Sequence, residues 1–125
     1  MDQFVGSGTT LVEVKLLNRN AIGIDINPNA VMLAKEKISF NTGQSSQIVV
    51  REGNATKLDF IKNEVVDLIC THPPYANVIK YSEDVEGDIS LLALDDFLES
   101  ISSVAKESYR VLKRGKICAV MMGDV

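Results

Sequence analysis

Gly6-Ser7-Gly8 leads straight into Thr9-Thr10-Leu11-Val12-Glu13-Val14-Lys15-Leu16-Leu17, and the next apolar run, Ala21-Ile22-Gly23-Ile24, ends on an acid, Asp25. A glycine turn that opens a helix, followed by a strand with a carboxylate at its tip, admits few folds. Glycines let the backbone turn tightly and approach a ligand closely. The first amides of the helix lack partners within it and are free to donate outward. An acid at the end of the second strand can accept both hydroxyls of a ribose in nucleotide-binding α/β folds. Gly8 and Asp25 lie 17 positions apart, close to the spacing such folds need. No Lys-Ser or Lys-Thr pair follows the glycines, so the turn is not a phosphate-binding P-loop.

The same alternation continues down the chain. The first helix is expected to stop near Asn18, a residue that tolerates the left-handed conformation of a cap. Asn27 is expected to cap a second helix, with Pro28 in its first turn, Val31, Ala34 and Ile38 on one face, and Gly43 just past its end. Gln47–Arg51 reads as a strand. Val65–Cys70 reads as another, apolar enough to be buried on both faces. A long helix is expected from about Asp95 to Lys113, with Phe97, Ile101, Val104, Ala105 and Leu112 facing the core and Gly115 as its stop. Its acidic start (Asp95, Asp96, Glu99) and basic end (Arg110, Lys113, Arg114) both suit the helix dipole. Lys116–Met122 reads as the last strand. Strands alternating with helices imply an α/β, Rossmann-like, doubly wound and mostly parallel sheet. One domain over residues 1–125 is expected, as a core piece incomplete at both ends, because few residues precede the glycine turn and few follow the last strand.

Composition narrows the function classes. Hydrophobic residues make up 46% and charged residues 24% of 125, which are globular values and exclude a disordered chain. The longest apolar run, Ile117–Met122, is too short to span a bilayer, and Met1-Asp2-Gln3 shows no secretory signal, so a cytoplasmic location is expected. Cys70 and Cys118 sit in apolar runs on strands expected to be neighbours, and read as reduced core thiols; no metal-ligand cluster is visible. Met32, Met121 and Met122 are expected at core or sheet positions. The net charge of −4 does not suit a self-sufficient nucleic-acid binder. The acidic stretch from Glu83 to Glu99 reads as a solvated loop and helix start, and the basic residues from Lys106 to Lys116 as a helix end.

The second chemistry-bearing feature is Thr71-His72-Pro73-Pro74-Tyr75, directly after the apolar strand. Ligands of open parallel sheets bind beyond the carboxyl ends of strands. Two prolines fix the backbone and remove two amides, leaving carbonyls able to accept from an amino group. Tyr75 offers a flat surface on which a base can stack.

The two motifs in this order resemble the S-adenosylmethionine-dependent amino-methyltransferases that modify cytosine N-4 or adenine N-6 in DNA. Their cofactor motif reads Asp-Pro-Phe-x-Gly-Ser-Gly-Thr-Thr, matched here by Asp2, Phe4, Gly6, Ser7, Gly8, Thr9 and Thr10. Arg19, Ile22-Gly23 and Asp25 resemble the segment that follows. Pro73, Pro74 and Tyr75 match the catalytic Asp/Asn/Ser-Pro-Pro-Tyr motif, and Met122-Gly123-Asp124-Val125 resembles the segment after the fifth strand. The resemblance implies a strand order three-two-one-four-five and S-adenosylmethionine as cofactor. It implies that Asp25 holds the ribose, Ile26 packs on the adenine, and Asn54 with Ala55 meets the adenine edge. It further implies that Tyr75 stacks on a flipped base while the Pro73 carbonyl, with His72, holds the amine. Two departures stand out: Gln3 replaces a proline, expected at little cost, and His72 replaces Asp, Asn or Ser. The other readings left open are a tRNA guanine N-2 methyltransferase, an inactive cofactor-binding module that needs a partner or a missing recognition segment, and a small-molecule or protein amide methyltransferase. A homodimer that hides exposed sheet edges is a further expectation.

Overall fold

A computed structural model describes residues 1–76, 82 and 85–123. Its elements run α1 (Thr9–Leu16), β1 (Ala21–Asp25), α2 (Pro28–Lys37), β2 (Ile48–Glu52), β3 (Val66–Thr71), a 3₁₀ turn (Ile89–Leu91), α3 (Leu94–Val111) and β4 (Leu112–Val120). β1 pairs with β2 in parallel, from Ala21 opposite Ile48 to Asp25 opposite Glu52. β3 pairs with β4, also in parallel.

Residues 1–3 join these two pairs. The Asp2 amide donates to the Ile22 carbonyl, and the Asp2 carbonyl accepts from Ile24, both at 2.9 Å. On the other side the Met1 carbonyl accepts from Cys70 at 3.0 Å, and the Met1 ammonium donates to the Leu68 carbonyl at 2.6 Å. The spatial order is therefore β2, β1, residues 1–3, β3, β4, which is the order three-two-one-four-five. Helices lie on both faces. Leu11 of α1 and Val31 and Ala34 of α2 pack with Val5, Ala21 and Val50. On the opposite face Ile24, Leu58, Ile61, Val66, Ile69 and Val111 form a second cluster. Alternate residues of β1 thus feed two cores, as in a doubly wound sheet.

Several local expectations are corrected. The second helix ends at Lys37, not at Gly43; the Asn41 side chain accepts from the Gly43 amide in a separate turn. The strands expected at Gln47–Arg51 and Val65–Cys70 each lie one residue later. Gly115 does not stop the long helix. α3 passes directly into β4 at Leu112, and Gly115, with φ +72°, sits in a bulge between Leu112 opposite Val66 and Ile117 opposite Leu68. Lys113 and Arg114 are therefore on the bulge, where they pair with Asp67 and Glu64, and only Arg110 remains in the last helical turn. Ala105 is exposed, and Ser108 takes a place on the buried face.

β3 is not buried on both faces. Leu68 and its partner Ile117 are both exposed, and so are Cys70 and Cys118. The cysteines lie on neighbouring strands but are not core thiols, because no described element covers that side of the strand pair. Met32, Met121 and Met122 are exposed too, although the Met121 amide still continues the sheet by donating to the Thr71 carbonyl. No helix among the described residues is long and apolar enough to cross a membrane.

Candidate active site

The glycine turn is built by three backbone constraints. Val5 donates to the Ile24 carbonyl and Gly8 to the Val5 carbonyl, which pins the turn to the tip of β1. Gly8 has φ +85°, and a Cβ there would lie 2.9 Å from Ala34, so the α1 start can meet α2 only through a residue without a side chain. The Gly6 amide donates to Asp25 Oδ2 at 2.8 Å, and the Asn27 amide to Asp25 Oδ1 at 3.0 Å. Asp25 thus ties the glycine turn to the α2 start. Burial pushes its carboxyl above the usual carboxylate range; the two amide hydrogen bonds oppose that, and the charges of Asp2 and Asp88 add to it.

Asp2 is buried and accepts from the Phe4 amide at 3.2 Å and the Thr71 hydroxyl at 2.8 Å. Thr71 in turn accepts from the Gln3 amide. The Gln3 side chain is buried and donates from Nε2 to Ser108 Oγ at 2.9 Å, while Ser108 donates to the Val104 carbonyl. A buried polar chain therefore runs from the cofactor-type motif, through the last residue of β3, to α3. Gln3 is a joint in it rather than an incidental replacement.

Asn54 Oδ1 accepts from both the amide and the hydroxyl of Thr56, which sets the loop after β2. Across from it stands Gly87, with φ +87°; a Cβ there would lie 3.0 Å from Asn54 Nδ2 and 3.6 Å from Ile26 Cδ1. Asp88 is buried and caps the 3₁₀ turn, accepting from the Ser90 amide and the Ser82 hydroxyl. This part of the acidic stretch is a wall, not a solvated loop; Glu83 and Asp84 lie outside the described residues.

At the end of β3, His72 Nε2 and Tyr75 Oη are 2.9 Å apart, with the rings edge-to-face at 5.5 Å. Gly123 backs the same tyrosine, since a Cβ there would lie 2.8 Å from Tyr75 Oη. Asp124 and Val125 of the closing motif lie outside the described residues.

These pieces surround one cavity of about 640 Å³. The first motif contributes Asp2, Phe4, Gly6, Thr9 and Thr10, and the tip of β1 contributes Asp25 and Ile26. Asn54 and Ala55 line it from the β2 side, and His72 and Pro74 from the β3 side. Ser7, Gly8, Pro73 and Tyr75, also expected at the site, are not among the residues that line it. Sequence reasoning missed Gly87, Asp88 and Ile89, which line the cavity from the segment before α3. The one local signal for them was a glycine followed by a capping acid.

The fold, a mostly parallel sheet with helices on both faces, is the Rossmann-like fold of class I methyltransferases. Residues 1–36 match the family model described as DNA methylase. A bifunctional methyltransferase of Rickettsia prowazekii is 30% identical over 128 residues, covering 90% of this chain and 23% of the relative. The type II methyltransferase M.MjaII of Methanocaldococcus jannaschii is 39% identical over 64 residues, covering 50% of this chain and 12% of the relative. A tRNA (guanine(10)-N2)-dimethyltransferase of Pyrococcus abyssi is 33% identical over 76 residues, covering 60% of this chain and 22% of the relative. A solved S-adenosylmethionine-dependent methyltransferase of Methanosarcina mazei superposes with a TM-score of 0.69 at 23% identity, over 95% of this chain and 49% of that one. The chain thus spans less than a quarter of the curated relatives' length.

S-adenosylmethionine is the cofactor that this fold and motif imply, and the residues present fit it. The cavity volume is that of a small-molecule site. Each Asp25 oxygen accepts one backbone amide and keeps lone-pair capacity for a ribose hydroxyl.

Proposed function

We propose that this chain is the cofactor-binding and catalytic core of an S-adenosylmethionine-dependent methyltransferase acting on an exocyclic amine of a DNA base. One observation supports the reading: the glycine turn and two residues of the second motif, His72 and Pro74, more than sixty residues apart in sequence, line the same cavity. When bound, the cofactor supplies an electrophilic methyl group. The chain's own residues do the positioning. Asp25 holds the ribose hydroxyls, Ile26 and Gly87 flank the adenine, and Asn54 Nδ2 with Ala55 meets its edge. Gly6 leaves room for the amino-acid end beside the α1 amides. A base must leave its stack to reach this depth. Tyr75, held by His72 and backed by Gly123, presents the face on which the flipped base lies. The Pro73 carbonyl accepts from the amine and turns its lone pair toward the cavity. Rate then comes from orientation rather than from covalent chemistry by the protein.

A second reading, methylation of a guanine amine in tRNA, is favoured by the Pyrococcus relative, which aligns with 60% of this chain. The test has two stages. Calorimetric titration with S-adenosylmethionine should show binding that Asp25→Ala abolishes. Transfer of a labelled methyl group to unmethylated DNA but not to tRNA then supports the DNA reading, and the reverse supports the second. A folded chain that binds no cofactor refutes both.

A further inference from the structure

Thr71 closes β3, and the turn that begins at His72 hangs from it. The Thr71 hydroxyl donates to Asp2 Oδ1 at 2.8 Å and accepts from the Gln3 amide at 3.2 Å. Its carbonyl accepts from the Met121 amide at 3.0 Å, beside the strand partner Val120. Asp2, Gln3 and Thr71 are all buried, at 4%, 1% and 4% exposure, so water does not replace these bonds. The clamp is rooted further off: Gln3 Nε2 donates to Ser108 Oγ at 2.9 Å, and Ser108 donates to the Val104 carbonyl within α3. Beyond Thr71 such fixing stops. Pro73 and Pro74 have no amide to give. No backbone hydrogen bond described for residues 72–75 reaches another element. The His72–Tyr75 contact lies within the turn, and Gly123 meets Tyr75 by packing, which fixes no direction. Where His72 and Pro74 stand in the cavity is therefore set by how Thr71 is held.

We propose that Thr71 is the positioning residue for methyl transfer: its hydroxyl, clamped by Asp2 and Gln3, fixes the His72-Pro73-Pro74-Tyr75 turn against the glycine turn. The proposal rests on the cavity being the methyl-transfer site. On transfer the lone pair of the target nitrogen forms a carbon–nitrogen bond, the carbon–sulfur bond breaks with its pair left on sulfur, and the nitrogen releases a proton to solvent. That displacement demands an in-line approach, and a misplacement of about 1 Å costs about a hundredfold in rate. The groups to be aligned belong to different halves of the sheet. Among the described residues, every hydrogen bond that joins residues 2–10 to residues 71–75 passes through the Thr71 hydroxyl. Asp25, by contrast, is held by the Gly6 and Asn27 amides, and neither bond involves Thr71. Loss of the hydroxyl thus separates the two functions: the ribose side keeps its geometry, and the amine side loses its anchor.

The experiment removes the hydroxyl but keeps the branched shape with Thr71→Val, and restores the hydroxyl with Thr71→Ser. His72 is the chain's one histidine, so its ring Cε1–H gives a single NMR resonance that reports on the turn. In Thr71→Val that resonance should shift or split. The kcat for labelled methyl transfer to unmethylated DNA should fall about tenfold or more, while the calorimetric dissociation constant for S-adenosylmethionine stays within about threefold of wild type. Thr71→Ser should return both the resonance and kcat to near wild type. A folded Thr71→Val with the wild-type resonance and kcat overturns the proposal, and so does a parallel loss of kcat and cofactor affinity, which a merely structural role would produce. A folded Thr71→Ser that lacks the wild-type resonance and kcat overturns it even where Thr71→Val does not fold. A wild-type chain that binds no S-adenosylmethionine or transfers no methyl group refutes the proposed function instead, and the His72 resonance then decides alone whether Thr71 anchors the turn.

Discussion

Gln3 shows how much one side chain can decide. Proline at this position would remove the amide that donates to Thr71, and would leave Ser108 without the donor it meets at 2.9 Å. Both losses fall in buried surroundings, where an unmade hydrogen bond costs about 1–3 kcal/mol. Gln3→Pro should therefore destabilise the chain by roughly that amount in urea unfolding; an unchanged midpoint would show that the polar chain carries no stability. The partner Ser108 lies 105 positions away, so nothing local in the sequence marks this role of Gln3. Asp25 makes a second prediction at this scale. Its folded carboxyl binds a proton more tightly than in an unfolded chain, where it titrates near the ordinary value of about 4. What this group contributes to stability is then greatest below that ordinary range and is lost as pH rises through the raised value. The loss of stability in Asp25→Ala should be larger at about pH 4 than at about pH 7, as measured by unfolding at each pH. The opposite trend would mean that the two amides outweigh burial.

Elements rather than residues explain what was legible in the sequence. Strands were visible as apolar runs and α1 and α2 by their caps, because those signals are local. The glycine turn and Asp25 were legible for the same reason. Helix ends were less so: Gly43 and Gly115 do punctuate the chain, but in a later turn and a bulge, and a glycine does not announce which kind of break it serves. Nor does an apolar run show whether its face is covered, which is why Cys70 and Cys118 read as core thiols in the sequence yet are exposed. The basic end of α3 shows the same limit. Arg110 is not a simple dipole partner: it donates to the Leu58 and Ile61 carbonyls and to Glu107, fastening the loop between β2 and β3 onto the helix. Glu107 completes the clasp by accepting from the Leu58 amide at 2.7 Å. Arg114, with its side chain 93% exposed, pairs only with Glu64 among the described residues. Arg110→Ala should cost about 1–3 kcal/mol because the Ile61 carbonyl loses its donor and Glu107 its ion-pair partner, whereas Arg114→Ala should fall within about 1 kcal/mol of wild type. Equal losses in chemical denaturation would contradict the clasp.

Across the whole molecule, the sheet is two strand pairs joined by three residues. β1 and β2 carry Asp25 and Asn54; β3 and β4 lead to His72 and Tyr75. Met1 to Gln3 form the seam, with backbone hydrogen bonds to β1 on one side and β3 on the other. The cavity spans that seam, so a ligand filling it contacts both halves at once. A ligand that binds only the folded state stabilises it by mass action, by about 2.7 kcal/mol at a hundred times its dissociation constant. Where both halves belong to one cooperative unit, that increment must appear equally in each. Two amides report the halves separately: Ile24, which donates to Asp2 from β1, and Cys70, which donates to Met1 from β3. Saturating S-adenosylmethionine should raise the opening free energy of both by the same amount in hydrogen exchange. Slowing confined to Ile24 would place the ligand on the β1 side alone. The His72-Pro73-Pro74-Tyr75 turn would then have no share in the bound state, and the single-cavity basis for methyl transfer would fail with it.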